Sequence, residues 1–290
     1  MAEQDIPQQL PKSSVNPLAN YFRQPKIYIR LPSEGRFYGP NALDTSQNSE
    51  YAVYAMTAKD ELMFKTPDAL MNGQATVEVI KSCVPSIKEP WKMPSIDVDA
   101  VLIAIRVATY GEQMEVGANC PSCGHHNDYN LNLVRYIENY ANFHYQSELQ
   151  IGPLIVFIRP YTYQESTKVA LKSLEQQKIF NIVNDDNMSD EIKIEKFGES
   201  FVKLTELTVD VVAGSIFKIQ SPEGIVEDPA MIKEFILNAP KDVFNTINDH
   251  VQNMKKQIEL KVEGVTCEEC NHVFEMPVTM DQANFFAVGS

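Results

Sequence analysis

Apolar positions recur at no regular interval through the opening MAEQDIPQQLPKSSVNPLAN, so residues 1–20 read as a flexible arm that can order against a partner. The pattern changes in KIYIRLPSEGRFYGP. Here Ile27, Ile29 and Leu31 alternate along a strand, Pro32 to Gly35 make a turn, and Phe37 and Tyr38 follow. YAVYAMTA over 51–58 reads as a second strand. Thr66 followed by Pro67 signals a helix start, and IDVDAVLIAIRVATYG reads as a helix closed by Gly111.

Between 160 and 260 the spacing turns helical. YQESTKVALKSLEQQKIFNIV, SDEIKIEKFGESFVKLTEL, DPAMIKEFIL and APKDVFNTINDHVQNMKKQIEL each read as helix, the last two with proline near the start. The acidic NDDNMSDE between two of them lacks the spaced ligands and glycine of a calcium-binding loop, and reads as a solvated connection.

Two short stretches interrupt this order. NCPSCGHHNDYNLNL over 119–133 holds Cys120 and Cys123, and GVTCEECNHVFEMPVTM over 264–280 holds Cys267 and Cys270. A shift of 147 positions (267 − 120) superposes the cysteines, sets His125 on His272, and sets Leu131 and Leu133 on Val278 and Met280. Each CxxC thus leads into alternating apolar positions, as a metal knuckle leads into a strand. The expected organisation is α+β, with the arm over 1–20 and an α+β N-terminal domain containing β-strands over 21–109. A zinc-ribbon-like unit follows in two halves, over 110–135 and 258–282. A mainly helical insertion over 136–257 separates the halves, and 283–290 forms a tail.

Composition narrows the chemistry. At 290 residues the chain can bury a core without staples, so small size does not explain the cysteines. Hydrophobic residues make up 44% and charged residues 22%, as in a globular protein, with no apolar run of about 18 residues to span a bilayer. The opening residues have neither the basic start nor the apolar centre of a secretory signal, so a reducing cytoplasmic origin is expected. The net charge of −14 opposes broad contact with nucleic acid.

In a reducing compartment, paired C-x2-C turns supply four thiolates to one tetrahedral zinc, a closed and therefore structural site. The alternatives are redox chemistry, which needs a CxxC at a helix start, iron–sulfur ligation, and four unliganded thiols. His125, His126 and His272 read as solvated loop residues or as supports for the ligands, and Cys83 as a small core residue. No nucleotide-binding, hydrolase or metalloprotease motif is present. The acidic pairs Glu112 with Glu115 and Asp60 with Glu61 read as surface carboxylates, and a non-enzymatic binding or structural protein is expected.

IYIRLPSEGRFY at 27–38, MTAKDEL at 56–62, KSCV at 81–84 and ATYGEQMEVGANCPSCG at 108–124 follow one another in an order that resembles the T4-like bacteriophage base plate protein family, the baseplate hub subunits. The resemblance covers roughly 20–135, with weaker support through the helical remainder. It implies a structural component of a contractile phage tail, assembled in the host cytoplasm and carried in the virion's baseplate at or near the hub. It implies other baseplate and tail proteins as partners, and multiple copies in a symmetric assembly. No catalytic residue and no metal assignment come with it. In such an assembly Tyr28, Arg30, Phe37, Tyr38 and Trp91 are candidate subunit contacts. An assembly factor that leaves the finished hub, and a zinc-ribbon adaptor acting on host proteins, are the competing functions.

Overall fold

A computed structural model describes residues 18, 21–65, 73–183, 189–259, 261–277 and 285–286. The Thr66–Pro67 signal, residues 184–188 of the acidic connection, the Val278 and Met280 matches and all of the arm except Leu18 lie outside the described residues.

Strands β1 (Pro25–Ile29) and β2 (Tyr51–Tyr54) pair antiparallel with Ile29 opposite Tyr51, turning Ile29, Tyr51 and Val53 inward. The expected turn follows β1, and Asp97 holds it. Its carboxylate accepts the Ser33 N–H at 2.8 Å, the Ser33 hydroxyl at 2.6 Å and the Tyr38 hydroxyl at 3.0 Å. Helix α1 (Ala58–Phe64) starts at a Thr57–Asp60 capping box, and α2 (Gln74–Cys83) follows. Arg23 ties the start of β1 to both helices. Its guanidinium donates to the carbonyls of Ala55 and Ser82, reaches the Ser82 hydroxyl at 2.7 Å, and meets buried Asp60 at 3.5 Å.

A single 3-10 turn, Pro90–Lys92, leads to α3 (Ser95–Tyr110), which ends at Gly111 as its sequence predicts. Val101, Leu102, Ile103, Ala104 and Ile105 in its middle are all buried, so every side of α3 packs on a neighbour. It is the axis of the core. The N-terminal strands, α2 and the insertion pack around it.

Past α3 come β3 (Gln113–Asn119), β4 (His126–Asn132) and α4 (Leu133–Ala141). The alternation of β4 stops where Asn132 accepts the Val134 N–H at 2.9 Å and caps α4, so Leu133 opens a helix. The chain continues, through the stretch expected above to be an insertion, with β5 (Glu148–Ile151), β6 (Leu154–Ile158), α5 (Tyr163–Val183), α6 (Asp190–Ser215), β7 (Ile216–Ser221), β8 (Gly224–Val226), α7 (Pro229–Asn238) and α8 (Lys241–Gln257). Asp228 caps α7 through the N–H groups of Ala230 and Met231, with Pro229 at the first helical position.

The helices fall where the spacing places them, but the insertion also carries an antiparallel sheet in the order β5-β6-β7-β8. Residues 216–226, read above as part of the helical region, form its second hairpin. Pro222 and Glu223 sit at the tight turn, and Ile216 and Ile219 point into the core.

Strands β9 (Lys261–Thr266) and β10 (Val273–Pro277) complete the described elements. Beyond them Phe285 and Phe286 return to the N-terminal domain. Phe286 stacks on Phe64 at 4.5 Å between ring centroids, and Arg106 of α3 donates to the Phe285 carbonyl at 3.0 Å.

Candidate metal centre

Four sulfur atoms, one from each cysteine of the two CxxC pairs, lie within 4.8 Å of one another. Two local structures bring them there. Strands β3 and β4 pair antiparallel from Gln113 opposite Asn132 to Asn119 opposite His126, and the first turn joins them. Strands β9 and β10 pair likewise up to Thr266 opposite Val273, and the second turn joins them.

The turns are alike bond for bond. Cys120 N–H donates to the His125 carbonyl at 2.8 Å and Gly124 N–H to the Cys120 carbonyl at 2.9 Å. In the second turn Cys267 N–H donates to the His272 carbonyl at 2.9 Å and Asn271 N–H to the Cys267 carbonyl at 3.0 Å. Gly124 and Asn271 both take the left-handed conformation, with φ of 77° and 56°. Glycine does so without cost, and asparagine is among the residues that tolerate it best. The sequence shift that superposes the cysteines therefore superposes the hydrogen bonds as well.

Between the turns, Cys120 and Cys270 sulfurs are 3.6 Å apart, and Cys123 and Cys267 sulfurs 3.7 Å. A disulfide would need about 2.05 Å. Metal–sulfur bonds of 2.3 Å at tetrahedral angles place sulfurs roughly 3.8 Å apart, so the spacing suits a four-thiolate cation site. Cys120 and Cys267 are buried, whereas Cys123 and Cys270 lie at the surface.

The electrostatics agree with the distances. Burial alone would raise the Cys267 thiol, but the N–H groups of Cys270 and Glu269, with the thiols of Cys123 and Cys270, bring it down to about 6. Cys123 goes the other way: the His125 N–H favours its thiolate, yet Cys270, burial and the remaining thiols raise it to about 12. One thiolate is easily held and a second resists forming beside it. A cation held among the four sulfurs would favour the thiolate form of each.

Asn127, which sequence reasoning did not single out, joins the two turns. Its side chain is buried, donates to the His125 carbonyl at 2.9 Å, and accepts the Glu268 N–H at 3.0 Å. Nearby, the Tyr129 hydroxyl donates to the Thr266 carbonyl at 3.2 Å. The signal was an amide at position 127, on the same face of β4 as the buried Leu131, where an apolar residue is the default.

The histidines stand outside this cluster. His125, His126 and His272 are exposed, His126 pairs with Asn119 at 2.8 Å, and His272 stacks on Phe274. Cys83 is fully buried in the core, where burial and then the Asp60 carboxylate push its thiol up to about 12. Of the acidic pairs, Glu112 and Glu115 are exposed, whereas Asp60 is buried, completes the capping box of α1 with Thr57 and is the partner of Arg23.

The candidate contact residues are spread out. Tyr28 is exposed within β1 and Arg30 just after it. Phe37 packs edge-on to Tyr145, Tyr38 bonds Asp97, and Trp91 stacks on Tyr163 at 5.4 Å. Among the described residues no helix is long and apolar enough to cross a membrane.

No curated protein and no solved structure matches this chain. Residues 41–287, which run from the turn after β1 through both CxxC turns to the returning Phe285 and Phe286, match the family model described as T4 bacteriophage base plate protein. The chain belongs to that family.

Proposed function

We propose that the chain is a non-enzymatic structural subunit of a contractile phage tail baseplate, placed at or near the central hub and retained in the virion. The family match over 41–287 carries this reading. The rest of the chain supports it: aromatic residues such as Tyr21, Phe22 and Tyr28 stay exposed at the N-terminal edge, available to neighbouring subunits. With a net charge of −14, and with Glu268 and Glu269 inside the second turn, the favoured partners are proteins rather than nucleic acid.

The four cysteines hold zinc in this reading. A shell of four thiolates leaves no open coordination position, so the ion contributes folding free energy rather than chemistry. Cys120 and Cys123 precede the insertion, while Cys267 and Cys270 follow it, so one ion would clasp the two ends of that long excursion.

Quantitative mass spectrometry of purified virions and isolated baseplates, counted against a known tail protein, tests the role. A fixed small copy number in both is expected. Absence from particles, with presence in infected-cell intermediates, would overturn retention and assign an assembly factor.

A further inference from the structure

The hydrogen-bond parity of the first CxxC hairpin determines which backbone groups of β4 face away from β3. Cys120 N–H bonds the His125 carbonyl and Leu133 N–H the Glu112 carbonyl, both at 2.8 Å, and the pairs between them run without a bulge. Bonded and non-bonded pairs alternate along an antiparallel ladder. Residues 127, 129 and 131 therefore turn their N–H and C=O groups toward β3, and Asp128 and Asn130 turn theirs outward. Among the described residues β4 pairs with β3 alone, and no described residue bonds those outward groups.

That edge opens on a groove of about 430 Å³. One wall includes Asn130, Leu131 and Asn132. Consecutive strand residues point to opposite faces, so a wall made of all three is a strand edge and not a face. The other wall is formed by residues 256–259, 261 and 262 at and beyond the end of α8, and helix α4 holds it in place. The Tyr140 hydroxyl donates to the Ile258 carbonyl and the Tyr136 hydroxyl to the Lys261 carbonyl, each at 3.0 Å.

The lining is cationic. Arg135, Lys256 and Lys261 face it with Glu259 as the acidic member, and Lys261 also lies 3.5 Å from Glu275. In a chain of net charge −14 this is a local reversal of sign. An open edge supplies backbone pairing to an extended segment, and the surrounding charge selects its side chains.

We propose that this groove takes one extended, acidic segment of a partner protein, which adds to the open edge of β4 through the backbone groups of Asn130 in the groove and of Asp128 just beyond it, and sets carboxylates against Arg135 and Lys256. The proposal rests on the reading of the chain as an assembly subunit and identifies the chemistry of one contact.

Selection from a library of random peptides of about a dozen residues, displayed against the metal-loaded full chain, tests it. Enrichment of alternating apolar and acidic residues is expected. A labelled synthetic copy of the enriched peptide should bind about tenfold or more weakly to Arg135→Glu/Lys256→Glu, weaken with added salt, and lose binding when its central residue becomes proline. Both substituted side chains are exposed, so unchanged circular dichroism and metal content confirm the fold. An empty selection, enrichment without acidic residues, full binding by the double variant, or preferential binding of oligothymidylate would each overturn it. None of those results alters the copy number in baseplates, and absence from baseplates leaves peptide binding measurable, so the two failures are distinguishable.

Discussion

At the scale of single residues, Asn127 and Asp97 show how buried polar groups set this structure. Replacing Asn127 with alanine leaves the Glu268 N–H without its acceptor and removes the second donor of the His125 carbonyl, which keeps the Cys120 N–H, so the side-chain link between the turns is lost. A loss of about 1–3 kcal/mol in urea unfolding is expected, together with faster metal release to a chelator. Equal chelation kinetics in Asn127→Ala and wild type would remove it from the site. Asp97 makes a prediction of the opposite electrostatic kind. Burial holds its folded pKa at about 7 against an ordinary 3.8, despite the donors Ser33 and Tyr38. The folded state thus keeps a proton that the unfolded state gives up between those values. The contribution is most favourable below about pH 4 and is lost as pH rises through 7. The stability difference between wild type and Asp97→Asn should therefore fall across that window and level off above it. A difference that rises with pH would contradict the assignment.

At the scale of elements, the returning Phe285 and Phe286 make completion of the N-terminal core depend on the far end of the chain. Phe286→Ala removes the ring stacked on Phe64 and should cost about 3 kcal/mol or more by chemical denaturation. A cost under about 1 kcal/mol would mean that the pair only rests on the surface. This docking was not legible in the sequence, because a short apolar FF carries no periodicity and its partners lie far earlier, Arg106 by 179 residues and Phe64 by 222 (286 − 64). The CxxC turns were legible, since two copies of one local hydrogen-bond pattern leave two copies of one spacing. The long helices were legible for the same reason. Strands β7 and β8 were not: IFKIQSPEGIV is short and continues directly from α6, so helical periodicity upstream masks a hairpin that pairing with β6 stabilises. Sheet partners lie outside any local window.

At the scale of the whole molecule, α3 packs against the N-terminal strands, and the two CxxC turns, far apart along the chain, meet at the cysteine cluster. The exposed N-terminal edge and, among the described residues, the unpaired edge of β4 are the surfaces proposed above for neighbours. Deleting residues 1–20 should lower baseplate yield while the isolated chain keeps its circular dichroism and melting temperature. Unchanged yield would rule the arm out as an assembly contact. Native mass spectrometry of the freshly purified protein, beside its Cys267→Ser variant, measures directly whether a metal clasps the two CxxC turns within one chain. One zinc ion per monomer in the wild type, lost in the variant, is the predicted result. Less than about half an equivalent of zinc in the wild type would contradict it.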